Sequence, residues 1–440
     1  MGTVRLSLSI LKSEKKEGMF YCFSLFMAVT VMFIFFSAMF NPNINIPTQV
    51  DGLVTSNGTF EGTVATSFSS ILAFLVIFLC IMCVFFANSF YLLGKSKYLG
   101  LMILSGTSVI KRALFLFVQN TVLLFIAIPT GLVVGYIGTI IMNAILYSLM
   151  GINASIFTIF PECLMYTAVV IFLVIVWLMI IDAGFSYRME INHLLSLSKS
   201  AIVPKYKMFS ISAIFYEILC VVPIVAFIAL EPNAFMYISL IGIVAVGISG
   251  FIKDGLPALL MQLQKMKFES KKIELIALGN VRYSISKCST LIQILLVAIV
   301  GLIAFLSTSY NDIFNFTMVL ITMVITIIML CMCITYKVLM EAGSRKISFL
   351  GLYNIGYSIE QIKEIVKKEM ILFYSLLCGV PLIYSTIILV KSFSLNYIDL
   401  IWVVIILAII LFIFICFGMA NYKMYSKVVI PTKVVVEGDE

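Results

Sequence analysis

The residues best equipped for chemistry in this chain are few and scattered. Its one histidine, His193, has no neighbouring nucleophile. The spacing Cys80-x-x-Cys83 lacks the second cysteine pair or nearby histidine that would complete a metal or redox site. The ten cysteines are scattered, and most fall in apolar runs, where a thiol packs as a small hydrophobic group. No Gly-x-x-x-x-Gly-Lys-Ser/Thr sequence occurs, so no loop is built to cradle nucleotide phosphates in the P-loop manner. A catalytic site needs convergent groups, and none can be assembled. The expectation is therefore a chain with no catalytic residues, no metal ligands and no cofactor of its own. Glu217, in Phe215-Tyr-Glu-Ile218, is the charge of most interest, because an ionisable group inside an apolar run is costly and by default suggests function. Near the inner end of its run it would be an ordinary snorkelling residue. Asp182 and Lys391 lie near the ends of apolar runs and read as anchors.

The elements that carry these residues are membrane-spanning. Apolar residues make up 62% of the 440 and charged ones 11%, far from the usage of soluble domains. Ten apolar runs are long enough to cross about 30 Å of hydrocarbon as helices. They fall near 19 to 40, 68 to 93, 113 to 141, 160 to 182, 209 to 230, 234 to 252, 289 to 307, 313 to 336, 370 to 391 and 399 to 421. Alternating strand patterning is absent, so a barrel is excluded. An even number of spans places both termini on one side, and the segments on that side hold 28 of the 29 Lys and Arg, all but Lys391. By the positive-inside rule that side is cytoplasmic. The net charge of +8 is explained by topology and anionic headgroups, without nucleic acid. Residues 3 to 16 are amphipathic and read as a helix along the inner membrane surface. Pro129, Pro223 and Pro381 fall inside spans and read as kinks, and the pair Gly131 and Gly135 permits close helix contact.

Two of the basic segments match one another. Lys97-Tyr98-Leu99-Gly100-Leu101-Met102-Ile103 leads to Gly106-Thr-Ser108, and Ile347-Ser-Phe349-Leu350-Gly-Leu352-Tyr353 leads to Gly356-Tyr-Ser358. Each reads as a short apolar-rich helix, then Gly-x-Ser, then a longer helix entering the membrane. Gly106 and Gly356 suit the left-handed conformation that ends a helix. Ser108 and Ser358 suit the start of the next, and Ser358 with Gln361 fits a capping box. The apolar residues Leu99, Leu101, Met102 and Ile103, and Phe349, Leu350, Leu352 and Tyr353, are expected on an exposed face. There they would either dock into a groove on a soluble partner or lie against the membrane surface or the protein's own underside.

These segments resemble the FtsX-like permeases, and more closely the bacitracin-resistance type of ABC transporter permease. Ala87-Asn-Ser-Phe-Tyr91 with Lys95-x-Lys-Tyr-Leu-Gly-Leu101 is similar to the family's second span and first coupling segment. Ile273-Glu-Leu-Ile-Ala-Leu-Gly-Asn-Val-Arg282 resembles the stretch before its seventh span. Glu341-Ala through Ser358 to Lys367-Lys-Glu-Met370 resembles its second coupling segment. The resemblance implies an all-α polytopic membrane protein of about ten transmembrane helices. Two four-helix FtsX-like repeats would occupy 19–182, with coupling segment 94–112, and 289–421, with coupling segment 337–369. A central helix pair would lie within 183–288, flanked by an N-terminal helix in 1–18 and a tail in 422–440. It further implies a non-enzymatic subunit of a Gram-positive cell membrane, with ATP and Mg on a separate cytoplasmic ATPase that binds in two copies. Membrane lipids surround it, and a sensor histidine kinase often accompanies such permeases. The role implied is resistance to antimicrobial peptides, with ATP-driven signalling without transport as the alternative and a secondary carrier as the weaker one. The family's large external domain between spans seven and eight is absent, the connection here being only about 308 to 312.

Overall fold

The computed structural model describes residues 3–13, 15–41, 43, 64–188, 211–229, 234–267, 272–309 and 313–430. His193, most of the segment between the first two spans and the last ten residues lie outside the described residues. Helix and short turns account for the backbone, and no strand occurs among the described residues. That is the outcome lipid imposes, since a helix satisfies its backbone groups within one segment. In chain order the helices are α1 (Thr3–Ser13), α2 (Lys15–Met39), α3 (Val64–Leu104), α4 (Val109–Met150), α5 (Pro161–Arg188), α6 (Ile211–Ala229) and α7 (Ala234–Gly250). A π-helical turn (Phe251–Gly255) follows, then α8 (Leu256–Lys267), α9 (Lys272–Thr308), α10 (Ile313–Asn354), α11 (Ile359–Ser394) and α12 (Leu400–Val429).

Nine stretches of the described residues are long and apolar enough to cross a membrane, and the chain is a multi-pass membrane protein. The remaining expected span coincides with α6, whose described apolar part, Phe215–Ala229, is shorter. Span six continues past its expected end at 252 through the π turn into α8. Pro257 accounts for the bulge: a proline ring clashes with the carbonyl four residues back, and the turn relieves this by letting Leu256 N–H reach the Phe251 carbonyl instead.

The residues form two compact units, Met1–Ile202 with Ile313–Met318, and Val203–Asp312 with Val319–Glu440. In the first, α2 packs along α4 and α3, and α5 closes against all three. Glycine makes the α2–α4 approach possible. A Cβ at Gly131 would meet Val29 at 2.8 Å, one at Gly135 would meet Phe33 at 3.0 Å, and one at Gly138 would run into the end of the Ile34 side chain. The Thr30 hydroxyl also donates to the Gly131 carbonyl at 3.2 Å. α1 forms as expected but is not confined to the membrane surface. Leu6 and Ile10 pack against the buried cluster of Leu92, Leu99, Met102, Phe115 and Leu116, while Val4 and Leu8 on the opposite face are exposed. In the second unit α11 packs against α9, α12 and α6, and α9 also meets α7 and α8.

Candidate functional site

The two matching segments are not separate short helices. α3 and α10 run unbroken from the membrane to the Gly-x-Ser elements, 41 and 42 residues each. At 1.5 Å per residue such a helix is about 60 Å long, twice the hydrocarbon thickness. Neither Gly100 nor Gly351 is enough to break it, because a lone glycine costs only about 1 kcal/mol in a helix. Each "short helix" is therefore the end of a long rod.

Both rods end in the same turn. Gly106 has φ 74° and Gly356 has φ 107°. Gly106 N–H donates to the Ile103 carbonyl at 2.9 Å and Thr107 N–H to the Met102 carbonyl at 3.0 Å. In the second copy Gly356 reaches Tyr353 at 2.9 Å and Tyr357 reaches Leu352 at 3.1 Å. These paired bonds are the Schellman arrangement, which satisfies carbonyls that a helix end otherwise orphans. The following helices start alike, from extended Ser108 and Ser358. The caps then differ. Ser358 Oγ accepts from Gln361 N–H at 3.2 Å, and Gln361 returns to Ser358 N–H at 3.0 Å, the expected capping box. Ser108 makes no side-chain cap bond, and Lys111 stands where Gln361 would be.

Exposure redistributes the expected docking residues. Leu99, Met102 and Phe349 are buried, contrary to the exposed face expected of them. The cause is helical register: Leu92, Lys95, Leu99 and Met102 recur at intervals of three and four and so share the face that packs inward. Leu101 is 64% exposed, and Lys97, Gly106 and Ser108 are exposed with it, while Tyr98, Gly100 and Ile103 are partly buried. In the second copy Gly356 and Ser358 are exposed, and Leu350, Leu352 and Tyr353 are partly buried. Sequence reasoning missed the most exposed apolar residues of these tips: Leu104 at 70% and Ile110 at 81% in one, Ile347 at 75% and Ile355 at 79% in the other.

Behind each tip lies a polar cluster that sequence reasoning also missed. Arg345 on α10 forms a buried ion pair with Glu369 on α11 and donates to Tyr425 Oη on α12 at 2.7 Å and to Ser284 Oγ on α9 at 3.2 Å. Glu369 also accepts from Asn280 Nδ2 at 3.0 Å and from Ser284 Oγ at 3.4 Å. Burial works against the Arg345 charge, but Glu369 and Tyr425 outweigh it, so its pKa rises above the ordinary arginine value. Four helices thus meet at one charge pair, about 14 Å from the tip at nine residues from Asn354.

The first unit carries the counterpart at a constant spacing of 250 residues, the spacing of Gly106 to Gly356. Lys95 stands for Arg345 and Gln119 for Glu369, and all four are buried. Lys95 Nζ lies 5.1 Å from the Tyr91 ring centre. Tyr91 Oη donates to Gln119 Oε1 at 2.8 Å, and Gln119 Nε2 donates to the Ser7 carbonyl of α1 at 3.2 Å. A buried carboxylate of this unit lies on α5. Asp182, expected to be a span-end anchor, is buried and accepts from Asn88 Nδ2 at 2.9 Å and from Asn120 Nδ2. An amide donor from each of two helices is how a carboxylate is tolerated there. Lys391, by contrast, is partly buried at its span end and donates to the Ile228 carbonyl at 2.8 Å. Glu217 is partly buried on α6, and the structure joins it to neither cluster. Cys80 and Cys83 are buried in α3, and among the described residues no group of His, Cys, Asp and Glu is placed to hold a metal ion.

No family model matches the chain. Over 186 residues, 42% of its length, it is 27% identical to a Bacillus subtilis (strain 168) protein described as an uncharacterized ABC transporter permease, YvcS. The matched stretch spans 27% of that relative's length. The similarity supports kinship between this multi-pass membrane protein and the permeases of ABC transporters.

Proposed function

We propose that this chain is the membrane-spanning subunit of an ABC transporter and that the tips joining α3 to α4 and α10 to α11 receive a separate ATPase. One observation carries the reading: the same hydrogen-bonded turn around a positive-φ glycine, with a buried polar root, occurs twice at a fixed spacing, each time beside exposed apolar side chains. A pair of equivalent docking points suits a partner that acts as a pair, and the rods give displacement at the tips a path into the helix bundle. ATP and Mg are held by that partner, which binds in two copies, one per tip. Both termini face the cytoplasm, as the placement of 28 of the 29 basic residues supports.

The FtsX-like, bacitracin-resistance resemblance supports a finer reading, in which ATP hydrolysis drives export or membrane removal of an antimicrobial peptide or similar amphiphile in a Gram-positive bacterium. A sensor histidine kinase belongs to the same resemblance. The test is capture, on the tagged permease, of soluble ABC ATPases from the cells that express it. Wild type should retain such an ATPase, and Leu104→Asp with Ile355→Asp should lower retention at least tenfold while membrane insertion is unchanged. Undiminished capture would sink the assignment of the tips. Unaltered peptide sensitivity in cells lacking the pair would instead favour ATP-driven signalling without transport.

A further inference from the structure

A cavity of about 390 Å³ lies in the second unit between α6 and the end of α7, within the size range of small-molecule pockets. Tyr216 of α6, Val246, Ser249 and Gly250 of α7, and Lys253 and Asp254 of the π turn line it. Counted from Val246, the others on this segment stand three, four, seven and eight residues on, which is one face of a helix. Gly250 shapes the cavity, because a Cβ there would run into the Tyr216 ring that lies against it. Lys253 and Asp254 are the only charged residues in the apolar stretch Ser239–Gln262. Ionisable side chains in such a stretch are costly and normally pair with an opposite charge. These two are poorly placed to serve each other, since residues one apart on a helix do not face one another. Among the described residues neither makes a hydrogen bond or an ion pair. One cavity thus presents a cation and a carboxylate, both unmet, beside the hydroxyls of Tyr216 and Ser249. Val246 gives it an exposed apolar edge.

We infer that this cavity binds the headgroup of a zwitterionic aminophospholipid, with the phosphate on Lys253 and the primary ammonium on Asp254. Charge complementarity selects this ligand. Phosphatidylglycerol brings no cation, so Asp254 would stay unmet. Phosphatidylcholine brings one whose methyl groups replace the N–H donors that a carboxylate accepts. Such a cation is held by a cage of aromatic rings, and Tyr216 is the one aromatic residue lining this cavity. The apolar edge at Val246 suits a ligand that continues into acyl chains. The site is independent of ATPase docking, and its place in the inner leaflet rests on the orientation of the basic segments.

The experiment is native mass spectrometry of the purified full chain, exchanged into phosphatidylethanolamine, phosphatidylglycerol or phosphatidylcholine of the same chain length. Wild type should retain one phosphatidylethanolamine at least fivefold over either of the others. Asp254→Asn should remove that preference over phosphatidylglycerol. Lys253→Gln should lower phosphatidylethanolamine retention about fivefold, the effect of one basic residue at a lipid phosphate. Lys253 is exposed and Asp254 partly so, positions where a neutral amide leaves folding intact. Equal retention of phosphatidylethanolamine and phosphatidylglycerol by wild type, or an undiminished preference in Asp254→Asn, overturns the proposal. Release of the lipid by excess glycerophosphoethanolamine also overturns it, because the soluble headgroup would then be the ligand.

Discussion

A charge taken out of water is tolerated only with a partner, and Arg345 and Glu369 are the clearest case in this chain. Glu369→Gln leaves the guanidinium buried without its counter-charge and should destabilise the protein by about 3–5 kcal/mol. The joint replacement Arg345→Met with Glu369→Leu should recover most of that loss, measured by denaturant unfolding in detergent micelles; a double variant no better than the single would refute the ion-pair account. The caps allow a smaller comparison. Ser358→Ala should cost about 1 kcal/mol, whereas Ser108→Ala should be close to neutral, because only Ser358 bonds the next helix through its side chain. The capping box was legible from Ser358 and Gln361 alone. The ion pair was not read, yet its signal was present: Lys95 and Arg345 interrupt apolar stripes, Leu92-Leu99-Met102 and Val338-Ala342-Phe349, at the same place relative to Gly106 and Gly356. A charge on a stripe that must be buried demands a partner, and the partner of Arg345 lies on another helix, where local spacing does not reach.

At the scale of elements, the turns at Gly106 and Gly356 are alike in hydrogen bonding but differ in backbone angle. Asparagine tolerates the left-handed region near φ 57°, and 74° lies much closer to it than 107°. Gly106→Asn should therefore keep ATPase coupling, while Gly356→Asn should impair it several-fold, read as permease-stimulated ATP hydrolysis in the reconstituted pair. Equal effects would show that the turn angle does not set the tip. The α2–α4 contact gives a stability counterpart: Gly131→Ala would set a Cβ 2.9 Å from Val29 Cβ and 3.1 Å from the Phe26 carbonyl oxygen, atoms close to or in the facing backbone, and should cost about 1–3 kcal/mol, seen as a lowered unfolding midpoint. The close approach was legible from Gly131 and Gly135. The continuity of α3 and α10 through the tips was not, because apolar content falls where these helices leave the membrane and composition alone then suggests a boundary. Backbone hydrogen bonding has no such boundary, and the ladder runs on until a glycine turns it.

At the scale of the whole molecule, the topology hangs on α6. Its 19 residues span about 28 Å, barely the hydrocarbon thickness. Were α6 to stay on one side, every span after it would be inverted, and the basic segments at 253–288, 337–369 and 422–440 would face opposite to those at 1–18, 94–112 and 183–208. The two tips, Gly106 and Gly356, would then lie on opposite sides of the membrane, where one soluble ATPase pair could not reach both. Lys391 strengthens the case that α6 crosses. As the one basic residue outside the inner segments, it donates to the Ile228 carbonyl near the C-terminal end of α6, where helix carbonyls carry partial negative charge. Reporter fusions decide the matter. Alkaline phosphatase joined after Asn153 or after Ala229 should be active outside the cell, and joined after Arg188 or Glu440 it should be inactive, with green fluorescent protein giving the reverse pattern. An inactive phosphatase after Ala229 together with an active one after Glu440 would place α6 on the inner side and end the proposal of paired docking tips.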